Sequence, residues 1–420
     1  MEYLDFELRI GTGAEGAMPV DVLRSPAGEA RGVLTLPWSG AELQIRVASV
    51  ERSVRSGRDA RGVNMGQAEP TASVPEFGAA LFRGVMPESV RGCYRTSRAL
   101  ATQSGKGLRV RLRIDSPAVA MLPWELLFDD EEGDFVSLST ATPIVRHLEL
   151  GRGIAPLAVQ PPLRILAMVS GPGDLPTLSV SHERERMEQA LAPLVAKGEA
   201  TLTWLEGDGS AALQRAMRPE AGPWHVFHFI GHGGFDQASG EGLLLLTGAD
   251  GASVPLPATQ LGRLLADHGS LRLAVLNACD GARGAEASRF SSTAAVLMRR
   301  GLPAVVAMQH PVSDDAAIEF SREFYGGLAG GLPVDGAVAE GRKAMSLLAG
   351  GAFEWGTPVL HMRSADGRLF DLAGQEAAKL EAAKADEALP PIPGSGRLAG
   401  VMTGLIAAGL LGYVLFMLLS

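Results

Sequence analysis

Two apolar runs of similar build, 47 residues apart, constrain the fold of this chain more than any other feature. The first, Val226-Phe227-His228-Phe229-Ile230, ends on Gly231-His232-Gly233-Gly234. The second, Leu273-Ala274-Val275-Leu276, ends on Asn277-Ala278-Cys279-Asp280-Gly281. Each is long enough for a strand buried on both faces, as in a parallel sheet covered by helices. Sheets of that kind present their chemistry at the carboxyl ends of the strands. Neighbouring strands ending in His232 and Cys279 bring an imidazole and a thiol to one rim, the arrangement a cysteine nucleophile needs from its base.

The same pattern extends on both sides of these runs. Leu163–Val169, Leu202–Leu205 and Ala304–Met308 read as further strands. Helices are predicted from Ser181 as N-cap to about Val195, and over 211–217, 258–267, 292–300, 314–328 and 334–348. Leu243–Leu246 reads as one arm of a small hairpin, and Pro358–Met362 as a closing strand. Strands alternating with helices imply an α/β fold, a mostly parallel sheet flanked by helices, over residues 156–373. Residues 1–155 read as a β-rich N-terminal region. Leu4–Ile10 alternates apolar and charged, Val33–Leu36 and Leu43–Val47 suggest two more strands, and Leu108–Ile114 alternates again with Arg109, Arg111 and Arg113 on one face. That face is expected to be solvated, or to offer a docking place for an acidic partner.

Beyond residue 373 the composition changes. Residues 374–397 read as an Ala/Glu/Lys-rich helix followed by a Pro/Gly spacer at Pro390–Gly396. The 22 residues from Leu398 to Leu419 carry no charge, and a bilayer span needs about 20. They are expected to form a transmembrane helix, a single-pass tail anchor that leaves the soluble part on the cytoplasmic side. Arg397 and Lys384 agree with that orientation. No signal peptide is expected at Met1–Asp5. Among 420 residues the formal net charge is −9, which argues against a nucleic-acid binder. Only two cysteines occur, Cys93 and Cys279, so no disulfide scaffold is expected.

The chemistry expected of the rim is acyl transfer. A thiolate is favoured by a nearby imidazole, and backbone N–H groups stabilise the developing oxyanion. Gly233 leaves room for a substrate carbonyl, and the N–H of Cys279 supplies a second donor. His225 and His228 stand three apart on one strand and point to opposite sides, so no metal site is expected. His228 is expected to be a core histidine and Cys93 to be inert. No cofactor motif is present, and Gly171-Pro172-Gly173-Asp174 lacks the Gly-Lys-Ser/Thr ending of a phosphate loop.

Asn277-Ala278-Cys279-Asp280-Gly281, with His232 47 residues upstream, resembles the nucleophile segment of the caspases, whose histidine lies about 50 residues upstream. Leu122-Pro123-Trp124-Glu125-Leu126-Leu127, Gly301–Ala307 and Trp355–Leu360 extend the likeness to the CHAT-domain family, relatives of caspases and separases. The resemblance implies a cysteine endopeptidase acting on protein substrates, controlled by a regulatory protein partner, with a catalytically silent scaffold or sensor of the same fold that binds partner proteins as the alternative. Cys279 would be its nucleophile, His232 its base, and Gly233 part of the oxyanion hole. Asn277 and Asp280 stand where caspases carry Gln and Arg, so selection for aspartate is not implied. The substrate pocket is expected at Asp280, Gln309, His310 and Asp314, with a tilt toward a basic substrate residue.

Overall fold

The computed structural model describes residues 1–13, 18–56, 73–148, 154–207, 209–278, 287–310, 312–348 and 353–372. Met1–Ala373 forms one compact unit, and the second unit, Gly374–Ser420, lies outside the described residues. The expected linker 374–397 and span 398–419 fall there. Among the described residues no helix is long and apolar enough to cross a membrane.

The chain begins with β1 (Tyr3–Ile10), β2 (Met18–Arg24) and β3 (Ala30–Leu34), an antiparallel meander. Three helices follow, α1 (Gly40–Ser56), α2 (Val74–Val85) and α3 (Glu88–Gln103), and then β4 (Gly107–Ile114). A single turn, α4 (Pro117–Ala120), and a hairpin of β5 (Phe128–Asp129) and β6 (Asp134–Phe135) lead to β7 (Ile144–His147). The N-terminal third is therefore mixed α/β and not predominantly β. The segment expected as a strand at Leu43–Val47 lies in α1. Its alternation is five residues long, whereas Leu43, Val47, Val50 and Val54 recur at helical spacing and turn toward the core, with Val50 and Val54 buried.

The second half supplies β8 (Leu157–Val159), β9 (Leu163–Val169), α5 (Val180–Ala196), β10 (Ala200–Trp204) and α6 (Ser210–Ala216). Then come β11 (Val226–Asp236), β12 (Glu241–Thr247), β13 (Ser253–Pro257), α7 (Ala258–Ala266), β14 (Leu273–Ala278) and α8 (Ala287–Arg299). Next are β15 (Ala304–Met308), α9 (Asp314–Ala329), α10 (Val334–Ser346), β16 (Pro358–Met362) and β17 (Phe370–Leu372). The helices stand within a few residues of the positions expected, though the cap of α5 is Ser179, whose hydroxyl accepts from the His182 N–H, and not Ser181.

One sheet runs through both halves in the order β10-β9-β11-β14-β15-β16-β7-β4-β1-β2-β3. It crosses the boundary suggested at 155/156 without a break. From β10 to β15 all neighbours are parallel; β16 runs antiparallel to β15 and parallel to β7. Alternate residues of β11, β14 and β15 face two separate cores. Val226, Val275 and Val306 pack with Leu191 of α5 and Phe324 of α9. Phe227, Phe229, Leu276 and Val305 pack with Leu213, Leu261 and Leu297 of α6, α7 and α8. Continuous apolar strands are what such two-sided cover requires.

On the arginine face of β4, Arg109 and Arg111 are buried and Arg113 is partly exposed, so the face is not the solvated or docking surface expected. β4 is an interior strand, between β1 and β7, and Arg109 is 2 % exposed. Its guanidinium pairs with Asp335 at the start of α10 and with Asp5 Oδ1 at 3.1 Å on β1. Arg111 takes the other Asp5 oxygen at 2.9 Å, and Arg113 takes Glu7 at 3.2 Å. The alternation in β1 and β4 is complementary, acids against arginines in parallel register. Removing one member of such a buried pair leaves a charge with no compensation. Arg109→Leu is expected to lower unfolding stability by about 3–5 kcal/mol, read by urea denaturation of the purified chain. A loss below about 1 kcal/mol would show that water reaches Asp335 and Asp5 readily.

Candidate active site

β11 and β14 are hydrogen-bonded neighbours, parallel and in register from Val226↔Leu273 to Gly231↔Ala278. The residues that follow that last pair are His232 and Cys279. Cys279 and Asp280 lie outside the described residues. Side chains two apart share a face of a strand, so His228, Ile230 and His232 belong to one face of β11, and paired Val275 and Asn277 of β14 belong to the same face. That is the side covered by α5 and α9.

His232 is 3 % exposed. Its Nε2 lies 3.1 Å from the carbonyl oxygen of Pro176. A carbonyl only accepts, so Nε2 carries the hydrogen and Nδ1 keeps its lone pair as the basic atom. Burial pushes the imidazole pKa below its usual value, and the bond to Pro176 opposes that shift in part. Pro176 contributes through its backbone, so its residue type carried no signal of the contact. Beyond His232 the strand leaves the main sheet and pairs with β12, where Gly233 stands opposite Leu244.

The remaining predicted residues sit at the end of the next strand. β15 lies beside β14, with Leu276↔Ala307 in register. Gln309 and His310 follow it and are buried, and the Gln309 N–H donates to the Thr357 carbonyl at 3.0 Å. Asp314 opens α9, but its carboxylate is already engaged by Arg186 and, at 3.2 Å, by His182 Nε2, both from α5. The connection between is secured by a residue sequence reasoning missed. The buried Glu354 accepts from the Ser313 N–H at 2.9 Å and from its hydroxyl at 2.7 Å. Glu354 adjoins Trp355 in a closing motif that the sequence does flag, but nothing local marks a partner 41 residues away.

Two other histidines have structural partners. His225 Nδ1 accepts from the Arg164 N–H at 3.0 Å, and His228 Nδ1 lies 2.7 Å from the Tyr325 hydroxyl. Among the described residues no group of acids, histidines and cysteines is placed to hold a metal ion.

A large mixed sheet, parallel from β10 to β15 and covered by helices on both faces, defines an α/β protein. The profile of the CHAT domain matches residues 76–355, and the chain belongs to that family. No curated protein sequence matches it. Among solved structures, two of the Saccharomyces cerevisiae separase–securin complex align at 12 % identity and a TM-score of 0.44, over 86 % of this chain and 30 % of the other. The chain thus spans under a third of the length of those relatives. The Arg-specific cysteine proteinase gingipain R aligns at 12 % identity and a TM-score of 0.38, over 78 % of this chain and 76 % of that one.

The His232 environment has a direct spectroscopic consequence. In 15N NMR of the intact chain, His232 is expected to be the Nε2–H tautomer at pH 7. It should titrate with a midpoint below the ordinary value of about 6.5. Because the shift is downward, less than half of the ring is protonated at that pH, and the basic form persists into mildly acid solution. A midpoint at or above 6.5 would contradict the buried site.

Proposed function

We propose that this chain is a caspase-like cysteine endopeptidase with His232 and Cys279 as its catalytic dyad. The observation that carries the reading is the register of β11 and β14. Adjacent strands lie about 4.8 Å apart, and consecutive Cα atoms about 3.8 Å. His232 and Cys279 therefore each follow, by one residue, positions paired across neighbouring strands. The free Nδ1 of His232 takes the thiol proton as sulfur attacks the peptide carbonyl carbon. The carbonyl oxygen becomes an oxyanion, stabilised by the N–H groups of Gly233 and Cys279. Collapse breaks the C–N bond, and the imidazolium returns its proton to the departing amine. Water then attacks the thioester, with His232 again as base, and frees the acid product and the thiol.

Gln309 and His310, at the end of β15, are the residues proposed to face the substrate residue before the cut. The carboxylate of Asp314 is occupied by Arg186, so any preference for a basic substrate residue rests on Asp280. Residues 398–419 are proposed to tether the enzyme to a membrane, on the strength of their uncharged length, with the peptidase on the cytoplasmic side. A regulatory protein partner is proposed to restrain it, because a broadly active tethered endopeptidase would be harmful.

Cys279→Ala and His232→Ala should each reduce peptide cleavage more than about a thousandfold while leaving the thermal unfolding curve in place. Asp314→Asn should leave the cleavage preference of a peptide library unchanged. Retention of cleavage in the Cys279→Ala chain would reject the peptidase and favour a scaffold of the same fold. Separately, the full chain should partition with membranes until truncated near Gly394. Recovery of the untruncated chain in the aqueous fraction without detergent would count against the tether.

A further inference from the structure

A crevice of about 10 Å³ lies beneath the ends of β11 and β14, on the face covered by α5 and α9. Arg186 and Glu183 of α5, His228 and Ile230 of β11, Asn277 of β14 and Ser321 of α9 line it. Three buried polar atoms on these walls, His228 Nε2, Asn277 Oδ1 and Arg186 Nε, have no hydrogen-bond partner among the described residues. Other atoms of two of these groups are committed. Arg186 Nη1 donates to Glu183 at 2.9 Å and its Nη2 meets Asp314, while His228 Nδ1 meets Tyr325. Buried polar atoms are nearly always paired, and a space of this size with two to four polar partners suits one ordered water.

The donor and acceptor roles close around one such molecule. Arg186 Nε–H only donates, Asn277 Oδ1 only accepts, and His228 Nε2 takes either role according to its tautomer. The water accepts from Arg186 and donates to Asn277. Its remaining capacity goes to His228, whose other nitrogen is satisfied by Tyr325 with the complementary hydrogen.

We propose that one ordered water joins Arg186, His228 and Asn277, and that Asn277 is thereby a positioning residue for Cys279, two residues further along. The water follows from the walls of the crevice alone; the role given to Cys279 rests on the peptidase reading. The bridge ties the last turn of β14 to β11 directly, to α5 through Arg186, and to α9 through His228 and Tyr325. It restrains Asn277, the second residue before Cys279 in sequence.

The test is a double-mutant cycle in the full chain carrying Cys93→Ser, so that Cys279 is the one thiol. Asn277→Leu removes the acceptor at similar volume. His228→Asn retains a polar atom near the Nδ1 position, facing Tyr325, and deletes Nε2. Each is read by urea unfolding and by the rate of Cys279 alkylation with iodoacetamide. Each single change should slow alkylation about tenfold, and the double change should slow it no further. The unfolding constants should depart from additivity by at least about fivefold. Additive unfolding effects would overturn the shared water, and coupled unfolding with unchanged alkylation would overturn the positioning role. Should Asn277→Leu fail to fold, Asn277→Ser removes the same acceptor. Neither readout is peptide cleavage, so a chain that alkylates as expected but cuts nothing would count against the peptidase reading alone.

Discussion

The structure depends first on what secures β16. This strand is hydrogen-bonded to β15 on one side and to β7 on the other, so the sheet that carries the rim site and the sheet built by the N-terminal third become one through it. Its contact with β7 is brief, His361↔Arg146 and Met362↔His147, and arginines hold β16 to its other neighbours. The Pro358 carbonyl accepts two bonds from the buried Arg342, at 3.2 and 2.6 Å. Burial lowers the pKa of Arg342 to about 10, yet it remains charged at neutral pH, and a charge-assisted bond is the stronger kind. At the far end the Arg363 N–H donates to the Pro303 carbonyl and its side chain to Met298. β7 is braced in turn by Arg146, which meets Glu125 through two bonds of 3.0 and 2.7 Å. The Leu122–Leu127 motif thus contributes to the architecture, with Glu125 as its buried anion.

How much of this could be read from the sequence differs between the halves for a physical reason. After Leu163 each strand is buried on both faces and each helix carries one apolar stripe, so local pattern and tertiary position agree. The helices and strands stand nearly where expected. Before residue 156 local pattern misleads. Leu43–Val47 satisfies strand and helix periods alike over five residues, and only the longer series through Val54 separates them. Arg109, Arg111 and Arg113 look like a wet strand face until Asp5, Glu7 and Asp335 are brought against them. Those partners lie up to 226 residues away, and no window along the chain contains both.

The candidate site divides in the same way. The strand ends, and His232 on one of them, were legible, because a continuous apolar run stopping at a glycine and a reactive side chain is a local signal; Cys279 lies outside the described residues. The side chains that secure the surrounding loops were not. Glu354 holds Ser313, and Arg186 neutralises Asp314, an acid that sequence alone offers to a substrate. An acidic residue is available to a ligand only to the extent that no cation of the fold has reached it first.

The contact between His232 and Pro176 bears on how such a site can change over evolutionary time. The acceptor is a peptide oxygen, which every amino acid possesses, so replacing residue 176 does not by itself erase it. The orientation of the imidazole is thereby insulated from the commonest kind of mutation at that position. It is exposed instead to changes in the length of the connection between Val169 and Val180, which would carry a different carbonyl past the ring or none. Between related chains, a gained or lost residue in that short stretch is a more telling mark of a re-oriented imidazole than any exchange of letters within it.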